Sequence, residues 1–331
     1  MSVVIADGPC PRISVALCTH NGSRFLREQL DSLVQQTRSP AELVVCDDCS
    51  TDDTIAILQE FRADAGIPVR ILQNSRRLGS TRNFEQAMSL SSGEFIAFCD
   101  QDDRWAPEKL QKLSDVLTGD PFLGGVFSDA DLIDENSLPI GTRLFAKHRF
   151  TRERQHRFLC NPTALLLKHP VVTGSTLMLR ASMRRYCLPI PESWVHDGWL
   201  AWMICLYSRI GLVPETLIEY RIHAGQQLGV GSRTASGAGG AGEESPRQFY
   251  ARVAGQFEDL LDRLLSSGWS QQSEVAAALR EKIAFLKRQS TLSPSLAVRI
   301  MQMIQLLPQY MHYARGLGSI RNDFLLGREM P

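Results

Sequence analysis

The chain has 331 residues, enough for one large domain and a smaller appendage. Lys plus Arg and Asp plus Glu both number 36, so the formal charge is zero and no global attraction to nucleic acid or an anionic surface is expected. Eight cysteines (Cys10, Cys18, Cys46, Cys49, Cys99, Cys160, Cys187, Cys205) are too sparse for a disulfide-stapled domain. Met1 to Pro11 lacks a signal-peptide pattern, and no run of about 18 apolar residues occurs, so a cytoplasmic protein without a spanning segment is expected.

Ile13 to Cys18 is a short apolar run ending in Thr19-His20-Asn21-Gly22, which reads as a buried strand entering a loop. Leu26, Leu30, Leu33 and Val34 then fall on one helical face. Leu43 to Cys46 predicts a second strand, and Ser50 with Asp53 predicts a capping box for a helix carrying Ile55, Leu58 and Phe61. Val69 to Leu72 and Phe95 to Cys99 predict further strands, separated by a helix carrying Phe84, Ala87 and Met88. Leu110, Leu113 and Leu117 mark a helix after Pro107. This alternation predicts a mainly parallel α/β sheet, with binding loops just after Cys18, Cys46, Leu72 and Cys99.

Beyond Gly124 the regularity weakens: Gly125 to Phe127 and Ser175 to Leu179 read as strands, and Asp197 to Tyr207 as a buried helix. Gly229 to Pro246 is a Gly, Ser and Ala tract, read as a flexible linker over 230–246. Residues 13–229 would then form the main domain, after a tail over 1–12, and 247–331 a helical extension. In that extension Phe249, Val253, Phe257, Leu260, Leu261 and Leu264 predict one amphipathic helix, and Val275, Leu279, Ile283 and Leu286 another. A third, from Leu296 to Met311, should break at Pro308. Its apolar stripe can pack on the protein, or, with Arg299, His312, Arg315, Arg321 and Arg328 nearby, touch a membrane surface.

Asp100-Gln101-Asp102-Asp103 places three carboxylates at the end of a strand, where hard oxygen ligands suit Mg²⁺ or Mn²⁺ carrying a diphosphate; the alternative is an acidic helix-start loop. Asp48 can accept the imide N–H of a pyrimidine base, with Ser50 as a cap. Cys46 and Cys49 form a single C-x-x-C with no second pair and no nearby His, too little for a zinc site. Trp194, Trp199 and Trp202 flank Asp197 and read either as pocket walls or as core, with Trp202 the best core candidate.

The segments Val44-Val45-Cys46-Asp47-Asp48-Cys49-Ser50-Thr51-Asp52 and Phe98-Cys99-Asp100-Gln101-Asp102-Asp103-Arg104-Trp105 resemble family 2 glycosyltransferases, particularly their rhamnosyltransferase-like bacterial members. So do Ile13 to Asn21, Asn74 to Phe84 with Gly79 and Asn83, Val172-Thr173-Gly174-Ser175, His196-Asp197-Gly198-Trp199 and Tyr220-Arg221-Ile222-His223. The resemblance implies a GT-A fold and an inverting transfer of one sugar from a dTDP- or UDP-sugar, with L-rhamnose as the named candidate. The acceptor would be a glycan or lipid-linked intermediate of a bacterial surface polymer, met at the cytoplasmic face of the inner membrane; no nucleic acid partner is implied. It also implies that Thr19, Asn21, Asp48, Asp100, Arg221 and His223 contact the nucleotide and that Asp102, with Asp100 and Asp103, holds the metal. Asp197 would be the general base, and Gly174 and Trp199 would face the acceptor. The closing motif runs on as Ala224-Gly225-Gln226-Gln227 where an Asn pair is more usual, and no Gln-x-x-Arg-Trp pattern of processive synthases follows the His196-Asp197 motif. A protein that binds a nucleotide sugar without catalysis is the alternative.

Overall fold

The computed structural model describes residues 10–226, 244–314 and 317–325. They form two compact units. The first takes in the described residues of Met1–Leu159, Val172–Ile190 and Val195–Gln226, and the second those of Cys160–Val171, Pro191–Trp194 and Gln227–Pro331.

The first unit begins with the expected alternation: β1 (Ile13–Thr19), α1 (Leu26–Val34), β2 (Glu42–Asp47), α2 (Thr54–Asp64), β3 (Val69–Gln73), α3 (Ser80–Leu90) and β4 (Phe95–Cys99). β1 pairs in parallel with β2 on one side and β4 on the other, and β3 adds in parallel to β2. Every residue of β1, β2 and β4 is buried, which is why these strands read as continuous apolar runs without alternation. Edge strand β3 is only half-buried and tolerates Arg70 and Gln73.

After β4 the chain continues through β5 (Arg104–Trp105), α4 (Lys109–Gly119), β6 (Leu123–Ile133), β7 (Pro139–Arg143), α5 (Leu144–Lys147), α6 (Arg152–Cys160), α7 (Pro162–Leu166), β8 (Leu177–Arg180), α8 (Arg184–Cys187), α9 (His196–Tyr207) and β9 (Arg209–Arg221). The strand order is β3-β2-β1-β4-β8-β6-β9-β5, with β7 beside β6. β8 is antiparallel to both β4 and β6, and β9 is parallel to β6, so the sheet is parallel through β4 and mixed beyond it. Phe127 of β6 meets the rings of Phe145 and Phe158 edge-on at 5.8 and 5.7 Å, a contact worth about 0.5–1.5 kcal/mol per pair beyond the area buried. These rings fasten α5 and α6, for which the sequence carried no period.

The second unit contains α10 (Pro246–Ser266), α11 (Glu274–Ser290), α12 (Leu296–Gln305), α13 (Leu307–Tyr313) and α14 (Leu317–Leu325). Ser245 and Gln248 form a capping box at the start of α10, with Pro246 in the first turn. The break expected near Pro308 falls between α12 and α13. Asp323 ties the unit together: its buried carboxylate accepts from the Tyr250 hydroxyl at 2.5 Å, from Gln289 Nε2 at 2.7 Å and from the Tyr310 hydroxyl. Of the linker expected at 230–246, residues 230–243 lie outside the described residues, as do 1–9 of the tail, Gln227, Gly229, Arg315 and Arg328.

Candidate functional site

The loops after β1, β2, β3 and β4 bond to one another, so the four positions expected from strand polarity converge. Thr19 is buried and its hydroxyl donates to Asp47 Oδ1 at 2.8 Å. Asp47 also accepts from the Ser50 amide at 2.9 Å and the Ser50 hydroxyl at 2.5 Å. Ser50 is therefore spent on Asp47 and on the Asn21 amide, and the capping box expected with Asp53 does not form. Helix α2 is instead entered through Asp52, which accepts from the Thr54 amide and hydroxyl. Asn21 adopts a positive φ of 48° and accepts from the Thr51 amide at 2.8 Å, stapling the first two loops.

Asp48 is buried and turned toward the loop after β3. Its carboxylate accepts from the Leu78 amide at 2.6 Å, the Gly79 amide at 2.8 Å and Asn74 Nδ2 at 3.1 Å. Asn74 also donates to Asn83 Oδ1 at 2.9 Å, and Asn83 Nδ2 donates to the Cys46 carbonyl at 2.6 Å. The spacing of Asn74, Gly79 and Asn83 thus builds a cradle around Asp48. A carboxylate offers about four acceptor sites, and three are filled, which leaves one on Oδ2 for a ligand N–H.

The loop after β4 holds the acidic residues. Gln101 clips it to the first loop, accepting from the His20 amide at 2.8 Å and donating to the His20 carbonyl at 3.1 Å. A Cβ at Gly22 would overlap the Gln101 side chain, so that clip requires glycine there. Asp102 Oδ2 lies 2.8 Å from His223 Nε2. The Gly225 amide donates to His223 Nδ1 at 3.2 Å, so the ring proton is on Nε2 and points at Asp102. Both side chains remain partly open, at 15% and 12% exposure.

Arg221 corrects an expectation. Its side chain is fully buried and does not reach out to a diphosphate. Nε donates to the Asp102 carbonyl at 2.7 Å, one terminal nitrogen to Ser137 Oγ at 2.7 Å and the other to Glu28 Oε2 at 2.8 Å. Its backbone amide donates to Asp103 Oδ1 at 3.0 Å. The guanidinium also lies 4.5 Å over the Phe25 ring. Arg221 therefore positions the acidic loop. Asp103 is corrected with it: wholly buried and taken by the Arg221 amide, it faces inward and is not a ligand at the open end.

Asp197 arrives from a distant part of the sequence. It is in the first turn of α9, whose cap position is Val195, so it is not the helix cap. Its Oδ1 accepts from the Gly198 amide at 2.6 Å and it is partly exposed. Burial first, then Asp103, Asp102 and Asp197, pushes the Asp100 carboxyl well above the ordinary carboxylate range. After burial, the same four carboxylates raise the Tyr220 phenol. Asp197 and the acids of the loop after β4 are thus near enough to act on one another. Gly174 is buried, and a Cβ there would approach His196 Nε2 to 2.5 Å. The His196 ring stacks on Phe84 at 4.1 Å, and burial lowers its pKa, keeping it neutral. Trp199 is a second correction: it is 0% exposed and its Nε1 donates to the Cys187 carbonyl at 2.7 Å, so it is core and not a wall of the acceptor pocket. Trp194 is buried too, donating to the Gln256 carbonyl at 2.8 Å, and Trp202 is core as expected.

Lys109 is the countercharge that the sequence concealed. Fully buried, it lies 3.2 Å over the Trp105 ring and donates to the Ser175 carbonyl at 2.6 Å. Burial pulls its pKa down to about 7, against the opposing pull of Cys99, Asp103 and Asp100. Lys109 faces Asp100 and Asp103 from inside, so a divalent cation would be the further positive charge that could balance the open Asp102. Among the described residues no cluster of three or more His, Cys, Asp or Glu forms a cage. Asp102 offers a carboxylate oxygen at the open end, oriented by the His223 Nε2–H, which fits an ion whose other ligands are phosphate oxygens and water. Glu28, Ser137, Gln101 and Lys109 escaped the sequence reading because each lies in an ordinary helix or turn pattern, with only contacts to reveal it.

Comparison with known proteins bears on this geometry. The chain is 28% identical over 276 residues to an uncharacterized glycosyltransferase of Nostoc sp., covering 81% of this chain and 80% of the relative. It is 33% identical over 216 residues to a putative teichuronic acid biosynthesis glycosyltransferase, TuaG, of Bacillus subtilis, covering 64% of this chain and 79% of the relative. A dTDP-rhamnosyl transferase, RfbG, of Shigella flexneri is 30% identical over 126 residues, 37% of this chain and 41% of the relative. Among solved structures, S. aureus TarS 1-349 in complex with UDP-GlcNAc superimposes with a TM-score of 0.58 at 18% identity, over 96% of this chain and 90% of that one. The mannosyltransferase PcManGT of Pyrobaculum calidifontis, in complex with GDP-Man and Mn²⁺, gives 0.57 at 15% identity, over 96% and 81%. The fold is that of GT-A glycosyltransferases, mixed sheet included. The sequence profile of Glycosyl transferase family 2 matches residues 14–186, and the chain belongs to that family.

Proposed function

We propose that this glycosyltransferase moves a single sugar, L-rhamnose being the first to test, from a dTDP- or UDP-sugar to a hydroxyl of a bacterial surface glycan intermediate, with inversion at the anomeric carbon. The observation that carries the reading is that Asp197 comes close enough to the Asp100 to Asp103 loop to act on the Asp100 carboxyl, although nearly a hundred residues of sequence separate them. Asp48, with one acceptor site left, takes the imide N–H of the base, and Asn21 and Thr19 hold the loops that flank it. Asp102, oriented by His223, would hold Mg²⁺ or Mn²⁺; bound there, the ion would neutralise the leaving diphosphate. Asp100 orients the ribose. Arg221 fixes the Asp102 main chain from behind, and Gly174 lets the His196 ring, next to Asp197 in the chain, pack close against it. Asp197 takes the proton of the attacking hydroxyl.

The names of TuaG and RfbG support a surface-glycan acceptor and a rhamnosyl donor, and the UDP-GlcNAc and Mn²⁺ complexes of the structural neighbours support a nucleotide sugar with a divalent metal. The acceptor we favour is lipid-linked, presented at the cytoplasmic face of the inner membrane. The test is calorimetric titration of UDP, dTDP and their sugars with and without Mn²⁺, together with release of free nucleotide from each sugar. Metal-dependent binding with slow hydrolysis of one donor is expected. No nucleotide binding in saturating Mn²⁺ overturns the reading, and binding of donors without any turnover, even with acceptor lipids added, favours a non-catalytic binder.

A further inference from the structure

α12 and α13 are apolar on two faces, and among the described residues one face is buried and the other exposed. Met303, Leu306, Tyr310 and Tyr313 are buried. On the other face Ile300, Met301, Ile304, Leu307 and Met311 follow one another at helical spacing, and they are between 37% and 64% exposed. Leu296 and Val298 extend the exposed surface at 48% and 43%. A helix that is apolar all round is stable inside a core or against lipid, and an aliphatic stripe open to water on this scale calls for an occupant.

The charges around the stripe say which. From Thr291 to Leu325 the chain has one carboxylate, Asp323, and it is withdrawn into the unit among Tyr250, Gln289 and Tyr310. The segment Cys160–Val171 is joined to this surface where the Lys168 ammonium donates to the Met311 carbonyl at 2.9 Å, and it has no acidic residue at all. Lys168 and His312 therefore stand beside Met311, and Arg321 is exposed on α14, which packs on α12. Glu281 of α11, like Asp323, is turned to the covered face, where it accepts from the Tyr313 hydroxyl at 2.6 Å. In a chain with equal numbers of acids and bases, such a run is selective: it removes what would repel phosphate headgroups and keeps what attracts them.

We propose that the α12–α13 face is a docking surface for an anionic lipid bilayer. The helices lie in the plane of the membrane, with Ile300, Met301, Ile304, Leu307 and Met311 in the boundary between headgroups and acyl chains and the cations at phosphate level. No described helix is long and apolar enough to cross a membrane, so the contact is peripheral. The attachment needs neither donor nor acceptor and stands or falls separately from the catalytic reading.

The test is flotation of the full chain with phosphatidylglycerol/phosphatidylethanolamine vesicles and with phosphatidylcholine vesicles, at low and high salt. The expected result is capture by the anionic vesicles, weakened by salt, and at least about a tenfold loss of the bound fraction in the double variant Met301→Glu, Ile304→Glu. Both residues are exposed, so the variant should melt with the wild type by circular dichroism and bind Mn²⁺–nucleotide unchanged. Three outcomes overturn the proposal: no flotation with either vesicle, equal flotation of a folded variant, or a dimer in sedimentation equilibrium that the variant dissociates while vesicles capture nothing. The last would assign the face to a second copy of the chain.

Discussion

His223 Nε2 lies 2.8 Å from Asp102 Oδ2, and the Gly225 amide fixes the tautomer that makes this pair. If Asp102 takes the divalent ion and His223 orients it, replacing either should weaken metal-dependent nucleotide binding without unfolding the domain, since both are partly exposed. His223→Ala is expected to lose about 10- to 100-fold in dTDP or UDP affinity measured in Mn²⁺, with little change in the metal-free titration. Equal affinities in wild type and variant would remove His223 from the metal site.

Asp197→Asn should lower kcat by about 10² to 10⁴ and leave donor affinity nearly intact. Because Val195 occupies the cap position of α9, no capping bond is lost, and the melting temperature should hold. Near-normal turnover in a stable variant would exclude Asp197 as the base.

Arg221→Met is expected to be costly to the fold. It leaves the part-buried Asp102 carbonyl and Ser137 hydroxyl without their donor, a loss of about 1–3 kcal/mol for each group, while the half-exposed Glu28 keeps Arg104 3.7 Å away. Denaturant unfolding should show a lower midpoint with unchanged slope. A variant as stable as wild type but unable to bind diphosphate would instead restore Arg221 to direct contact with the ligand.

Glu42 links stability to acid. Burial raises its pKa, but hydrogen bonds from Ser14 Oγ at 2.6 Å and from the Ser92 amide and hydroxyl at 2.6 and 2.8 Å outweigh burial, and the net shift is downward. A carboxyl whose folded pKa lies below its unfolded value contributes fully above the unfolded value, and the contribution disappears as pH falls through the folded one. Thermal melts should therefore lose stability below the usual glutamate pKa, and Glu42→Gln should flatten that acid limb while lowering the melting temperature at neutral pH. A variant with the same acid limb as wild type would assign the loss to other carboxylates.

The half of the fold that was legible is the half in which one signal settles each element. β1, β2 and β4 are buried on both faces and announce themselves as apolar runs, and α3 shows its buried face as Phe84, Ala87 and Met88. β9 was read only through its last residues, because it carries Pro214, Glu215 and Glu219 and alternates poorly. In the site, residue types were legible and directions were not. Asp100, Asp102 and Asp103 look equivalent in sequence, yet Asp102 faces the opening while Asp103 is taken by the Arg221 amide. Trp199 sits beside Asp197 in sequence, but the helical turn carries its ring to the Cys187 carbonyl inside.

The strand β9 enters the sheet between β6 and β5 and brings its following residue pair to the acidic loop across 121 residues of sequence. A ribosome therefore exposes Asp102 well before it exposes His223, and at about 5–20 residues per second the interval is roughly 6 to 24 s. Throughout that time the nascent domain carries its crowded carboxylates without Arg221 to anchor their loop. Any truncation before Tyr220 consequently yields a chain whose recognisable acidic motif keeps its Gln101 clip to the first loop but lacks the Arg221 and His223 contacts that hold and orient Asp102.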